Sequence, residues 1–347
     1  MSIPANLVVT RFSAMGDVAM VASVLRELTK QHPKLRIIVV SRSLFRAFFE
    51  DIEGVTFHPF DPKGKHKGIV GLRKLKTELD HYHPDAVADL HFNLRSRILD
   101  LLFRISGVRV RQLDKGRREK KALTRTRSKI WRPLKSTPER YADVFRKLGI
   151  SLTLSGKLAK VNLPLPQMAL AMFADQETKK IGISPFAQHP YKVFPIAKME
   201  KVVDYLSSNG YEIYLFGGGN EEKDIAQKWE IRHAHVHNMI GKFTLQEELA
   251  IISNLDIFIS MDSSGMHMAS LMGVRCLSIW GATHPYAGFL GYGQQLSDCI
   301  QVEHPNRPSS VYGNKPCICD GIEAIDLVTE EMVINKINEV YCPSRYK

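Results

Sequence analysis

Nowhere does the 347-residue chain run the roughly 18 uncharged apolar residues that a membrane-crossing helix requires. Cysteines number only five, an odd count that suits a reducing compartment better than a disulfide framework. Cys317-Ile318-Cys319 is one residue short of the usual C-x-x-C zinc knuckle, and Cys299 and Cys342 would have to complete the ligand set. Ordinary thiols are therefore expected, with Cys276 in a core strand. The dinucleotide pattern G-x-G-x-x-G is missing, which argues against a nicotinamide-dependent oxidoreductase. The glycines at 217–219 lack the Lys-Ser or Lys-Thr that follows in a phosphate-binding Walker loop. No zinc-finger, helix-turn-helix or aromatic RNP pattern occurs, so nucleic acid is not an expected partner. The opening "MSIPANLVVTRF" has no basic leader and apolar core of an export signal. It reads as a first strand and places the protein in the cytoplasm.

Acidic residues are also scarce. Lys and Arg total 48 against 36 Asp and Glu, a formal charge of +12. The excess is uneven: Arg104 to Lys135 holds thirteen basic residues and only two acids, Asp114 and Glu119. Such a field attracts phosphates, nucleic acid or an anionic membrane face. A solvated basic loop is the plainer alternative.

What is present is a repeated alternation of strand and helix patterns. "LRIIVVS" (35–41), "VTFHPF" (55–60), "DAVADL" (85–90) and "VRVRQL" (108–113) read as strands. "GLRKLKTELDHY" (71–82) and "NLRSRILDLLFRI" (93–105) read as helices between them. Order is lost between Asp114 and Ser136, then resumes in a helix with Ser136 or Thr137 as cap and Pro138 in its first turn. The second half repeats the alternation from "KIGISPF" (180–186) to a final helix in "TEEMVINKINEV", which could finish that half or pack back on the first. This predicts two α/β domains of mostly parallel strands, 1–160 with a basic flap at 114–136, and 161–347.

Polar residues gather at the predicted C-terminal ends of strands, where such sheets bind ligands. Arg11, Ser13, Gly16 and Asp17 follow the first strand. Asp17 reads either as a helix cap or as a general base for a hydroxyl nucleophile. His91, Asn93, Arg95 and Ser96 follow a later strand, as anion-holding or capping groups. In "SPFAQHPYKVFP", Lys192 stands where it would meet a leaving phosphate, with Ser184 and Gln188 as neutral donors. Gly217 and Gly218 would let backbone approach a ribose or phosphate. "MDSSGMHMASLMG" puts Asp262, Ser263, Ser264 and Gly265 at a helix start that offers free N–H groups, with His267 beyond as a cleft or core residue. Thr283, in "WGATHP", borders the same region.

"RFSAMGDVAM", "SPFAQHPYKVFP", "MDSSGMHMASLMG" and "WGATHP" occur in the order found in bacterial heptosyltransferases of glycosyltransferase family nine, and the resemblance spans about residues 5 to 340. It implies a GT-B fold, two Rossmann-like domains facing a central cleft, and a metal-independent transfer that inverts the sugar. The implied donor is ADP-L-glycero-D-manno-heptose. The implied acceptor is a phosphorylated glycolipid, the inner core of lipopolysaccharide, reached by a monomer in peripheral contact with the inner membrane. Asp17 matches the family's base, Lys192 its phosphate ligand, and Asp262 with His267 its acid and histidine pair. Ser13, Gly16, His91, Asn93 and Arg95 would then serve the acceptor. The chain departs from the family's D-T-G-x-x-H at Ser263 and Ser264 and from K-x-W-P at Phe194, which leaves another nucleotide sugar open.

Overall fold

The computed structural model describes residues 3–341. It divides into two compact units, the first formed by residues up to Lys115 with Lys135–Gly156, the second by Gly116–Leu134 with the residues from Lys157 onward.

The first unit is a five-stranded sheet. In chain order it contains β1 (Asn6–Thr10), α1 (Met15–Gln31), β2 (Arg36–Ser41), β3 (Val55–Pro59), α2 (Gly68–Asp80), β4 (Ala86–Asp89), α3 (Leu94–Ile105) and β5 (Arg109–Gln112). All neighbours are parallel, in the order β3-β2-β1-β4-β5. Central strands of such a sheet are covered on both faces and must be apolar throughout. Leu7, Val8 and Val9 on β1 are accordingly fully buried. Leu72, Leu75 and Leu79 of α2 share one core with Leu99 and Phe103 of α3, so these helices cover the same face. The chain then forms α4 (Arg117–Thr124), which belongs to the second unit, and returns as α5 (Thr137–Lys147), packed on α1. Ser136 caps α5 through Glu139 N–H, as its sequence predicts.

The second unit holds β6 (Lys180–Ser184), α6 (Ile196–Ser208), β7 (Glu212–Leu215), α7 (Asn220–Arg232), β8 (Val236–Asn238), α8 (Leu245–Ser253), β9 (Ile257–Met261), α9 (Ser264–Leu271), β10 (Arg275–Ile279) and β11 (Cys299–Ile300). Its sheet is again parallel, in the order β11-β10-β9-β6-β7-β8. Thr244 and Glu247 close a capping box on α8. A short ribbon of β12 (Ile318–Cys319) and β13 (Ile322–Glu323) precedes α10 (Glu330–Tyr341). Helix α10 packs on α6 within this unit, with Tyr205 and Asn338 hydrogen-bonded between them. Two parallel α/β units of this kind make the GT-B class of fold.

The division differs from the sequence-based domains in one respect. The sequence predicts a patternless basic flap in the first domain, but the segment contains α4 and packs with the second unit. Lys129 Nζ donates to the carbonyls of Pro305, Asn306, Arg307 and Pro308 at 2.7–3.2 Å. Trp131 packs against His284 and Tyr286, and Leu134 N–H reaches Tyr286 O. Lys120 sits over the Phe289 ring. These contacts, made to residues more than a hundred positions away, left no local periodicity to read. No helix among the described residues is long and apolar enough to cross a membrane.

Candidate active site

In each sheet the chain reverses direction of build once, between β1 and β4 in the first and between β6 and β9 in the second. Loops leaving adjacent strands at such a switch point diverge and open a crevice at the strands' C-terminal ends. The residues picked from sequence fall at these two places, five acceptor-side residues and Asp17 in the first unit and most donor-side residues in the second.

In the first unit, β1 delivers Arg11 and the turn to α1. That helix begins at Met15, so Asp17 lies in its first turn rather than at its cap. Its carboxylate still reaches back to Ala14 N–H, at 3.4 Å. The capping and catalytic readings of Asp17 therefore share one side chain. Asp17 Oδ2 pairs with the Arg11 guanidinium at 2.5 Å, and Oδ1 lies 3.4 Å from the Tyr141 hydroxyl. Arg11 also donates to Leu90 O at 2.7 Å and stacks over Tyr141. Burial opposes its charge, but the Tyr141, Asp17 and Asp89 oxygens outweigh it and hold its pKa above the ordinary value. Burial pushes the Tyr141 hydroxyl up. Tyr141 comes from α5, 124 residues along the chain from Asp17, and nothing in the sequence flagged it.

At the end of β4, Asp89 is fully buried. Its Oδ1 accepts from Thr10 Oγ1, His91 N–H and Phe92 N–H at 3.2, 2.8 and 2.9 Å. These bonds set the turn that carries His91. The His91 ring accepts the Phe12 N–H at Nδ1, 3.0 Å away, which leaves the ring proton on Nε2. Burial first, then the Arg11 charge, lowers its pKa to about 3, so it is a neutral donor at physiological pH. Asn93 caps α3: its Oδ1 takes Ser96 N–H at 2.9 Å, and Ser96 Oγ takes Asn93 N–H at 3.0 Å. Arg95 is exposed, and Ser13 and Gly16 are half-buried. Beneath this turn Asp100, also fully buried, accepts from Gln112 Nε2 at 2.6 Å and feels the Asp89 charge. Burial and the Asp89 charge push Asp100 up to about 8, so it keeps its proton at neutral pH.

In the second unit Lys192 and Asp262 meet across the switch point. Lys192 Nζ lies 2.8 Å from Asp262 Oδ2 and donates to Asp262 O at 2.9 Å. Asp262 is 4% exposed. Ser263 is the first residue before α9, yet makes no side-chain cap bond; its hydroxyl faces Ser260 Oγ at 3.1 Å. The side chain of Ser263 is thus engaged with β9 instead of capping α9. A Cβ on Gly265 would stand 2.7 Å from Ser184 Cβ and 2.8 Å from Ser260 Oγ. Only glycine brings the start of α9 this close to β6 and β9. His267 is 6% exposed, among the buried residues of α9. The Thr283 hydroxyl is buried and has no hydrogen-bond partner among the described residues.

After β7, the glycine turn folds onto α7. Gly218 N–H donates to Glu222 at 2.6 Å, and burial raises the Glu222 pKa. A Cβ on Gly217 would meet Glu222, Ile240 and Phe186 within 3 Å. Gln188 is exposed on its loop. Arg307, which sequence reading passed over, is fully buried and holds the loop after β10. Its guanidinium donates to the carbonyls of Gly281, Trp280 and Thr283 at 2.7, 3.3 and 2.9 Å. Burial lowers its pKa. No group of three or more His, Cys, Asp or Glu among the described residues is placed to hold a metal ion, and Cys342 lies outside them.

Residues 72–315 match the family model of glycosyltransferase family 9 (heptosyltransferase), and the chain belongs to that family. It is 25% identical over 299 residues to the lipopolysaccharide core heptosyltransferase OpsX of Haemophilus influenzae, an alignment covering 81% of this chain and 80% of that one. Among solved structures, a family 9 glycosyltransferase from Veillonella parvula superposes with a TM-score of 0.74 at 20% identity, over 98% of both chains. ADP-heptose lipopolysaccharide heptosyltransferase II of Escherichia coli does so at 0.70 and 19% identity, over 98% of this chain and 99% of that one.

Proposed function

We propose that this enzyme moves a heptose from ADP-L-glycero-D-manno-heptose to a phosphorylated inner-core acceptor of lipopolysaccharide, with inversion. The acceptor hydroxyl oxygen attacks the anomeric carbon while the bond from that carbon to the ADP oxygen breaks. Asp17 takes the hydroxyl proton. Lys192 and the first N–H groups of α9 meet the charge that grows on the diphosphate, so the step calls for no metal ion. Asp262 reads the donor sugar, with Ser184, Gln188, Gly217, Gly218, Ser263, Ser264, Gly265, His267 and Thr283 lining the donor's place. Ser13, Gly16, His91, Asn93 and Arg95 serve the acceptor, His91 as a neutral N–H donor.

The observation that supports this best is the setting of Asp17. One carboxylate oxygen is fixed by Arg11 at 2.5 Å, while the other meets, among the described residues, the distant Tyr141 hydroxyl at 3.4 Å. A carboxylate oriented through one oxygen keeps the other for a substrate proton. The enzyme works as a monomer at the cytoplasmic face of the inner membrane, where a lipid-borne acceptor is presented.

The test is transfer from ADP-heptose to a core acceptor, followed by ADP release and by product mass, beside the Asp17→Asn variant. Release no faster than with that variant would sink the reading. The serines at 263 and 264 favour one competitor, a different nucleotide sugar. Binding of ADP-, GDP- and UDP-sugars in parallel distinguishes it, and a clear preference for ADP-heptose removes it.

A further inference from the structure

Two helices of the first unit expose large apolar side chains that the site does not use. On α3, Leu94, Arg97, Leu101 and Arg104 recur every three to four residues, with Ile105 beside the last. That spacing puts them on one side of the helix, opposite Leu99 and Phe103 in the core. Leu94, Leu101 and Ile105 are 72%, 55% and 76% exposed. On α2, Ile69 and Val70 are 58% and 79% exposed, and Arg73 and Lys74 follow them one turn later. Both helices cover the same sheet face and pack side by side, with Lys76 Nζ 5.8 Å from the centre of the Phe103 ring. Their outward sides therefore form one continuous surface.

The charge on that surface is mainly of one sign, because the two carboxylates near the end of α2 are already paired, Glu78 with Lys65 and Asp80 with Lys76. Residues 62–77 contain no carboxylate, and residues 90–106 contain only Asp100, which is fully buried. Lys67, Arg73, Lys74, Arg95, Arg97 and Arg104 are all exposed. Scattered apolar residues on a surface need no explanation, but five in a patch framed by uncompensated cations do. A partner protein with an acidic patch would be met by cations without needing the apolar ones, and solvent would need neither. An anionic bilayer takes both, with the apolar side chains entering the acyl boundary and the cations held at the phosphates.

We propose that the outward face of α2 and α3 is the surface by which this protein docks on an anionic phospholipid bilayer. The inference rests on the reading of the acceptor as lipid-borne, and it moves the contact away from the 116–134 segment. There, Lys120, Lys129 and Trp131 are already engaged by groups of the second unit.

The experiment is co-sedimentation of the full chain with vesicles of phosphatidylcholine alone and of phosphatidylcholine mixed with phosphatidylglycerol. Two surface variants are compared, Leu101→Glu/Ile105→Glu and Arg73→Glu/Lys74→Glu, with thermal unfolding to verify the fold. The wild type is expected on the mixed vesicles, released by salt, and scarcely on the neutral ones. Each variant should lose about tenfold or more in partitioning, while transfer to a delipidated, water-soluble acceptor stays unchanged. Wild-type binding that ignores vesicle charge, or variants that bind as the wild type does, would overturn the proposal. So would a wild-type dimer that the variants dissolve, since the face would then belong to a second copy. Vesicle binding lost in the variants, with no transfer by any form of the protein, supports the surface and rejects the reaction instead.

Discussion

Lys192 is gripped twice by Asp262, by the carboxylate at 2.8 Å and by the same residue's main-chain carbonyl at 2.9 Å. The lysine comes from the loop after β6 and the aspartate from the end of β9, so the pair ties together the two sides of a switch point. In the proposed mechanism it also holds the cation that meets the diphosphate.

The pair separates stability from chemistry. Lys192→Met alone leaves the Asp262 carboxylate buried without its cation, a change that costs about 3–5 kcal/mol in comparable pairs. The double variant Lys192→Met/Asp262→Leu should recover most of that loss and still fail to transfer sugar. Chemical denaturation with initial rates checks both halves. Recovery of activity with stability would show that the pair only supports the fold.

Asp17→Asn keeps the size of the side chain and removes the proton acceptor. The turnover number should fall by about 10²–10⁴-fold while the KM for the nucleotide sugar changes little. Steady-state kinetics at saturating acceptor measures it. A large change in KM with unchanged turnover would assign Asp17 to capping alone.

Asp100 gives the fold a pH dependence of definite sign. Its folded pKa, about 8, lies above the ordinary 3.8. Between those values the folded state holds a proton that the unfolded chain releases, so this group's stability contribution declines as pH rises through the window. The decline is at most about 1.4 kcal/mol per pH unit. Asp89, Gln112 and Arg104 are the polar groups around it. Asp100→Asn has no proton to lose and should gain on the wild type steadily from pH 5 to beyond about 8, where Asp100 has ionised. Denaturant midpoints across that range check it, and parallel curves would refute a protonated Asp100.

Gly265→Ala should overfill the contact between α9 and β6. The added carbon would lie under 3 Å from Ser184 and Ser260. A cost of about 1–3 kcal/mol follows, together with a raised KM for the donor, because α9 shifts from its place. Thermal unfolding and donor titration measure the two effects.

Most of the fold was readable because its signals are local. Apolar runs such as "NLVVT" and "DIFIS" announce buried parallel strands, and Thr244 with Glu247 announces α8 three residues apart. The loops after strands were readable as candidate sites for the same reason, since a strand's C-terminal end is a sequence position. Strand order was not readable, and it alone decides that the loops after β1 and β4, or after β6 and β9, become neighbours.

The chain's own sequence determined the alternation of elements, the place of Asp17, Lys192 and Asp262 at strand ends, and the single-signed charge of 62–77, because each depends on residues within a few positions. Only the tertiary structure decided that Tyr141 would face Asp17, that Asp100 would be buried beside the Asp89 charge, that Arg307 would hold the loop after β10, and that the basic stretch 116–134 would pack on the second unit. Those contacts join residues that are distant along the chain, and their energies depend on burial and on which charges become neighbours, neither of which exists before the sheets close.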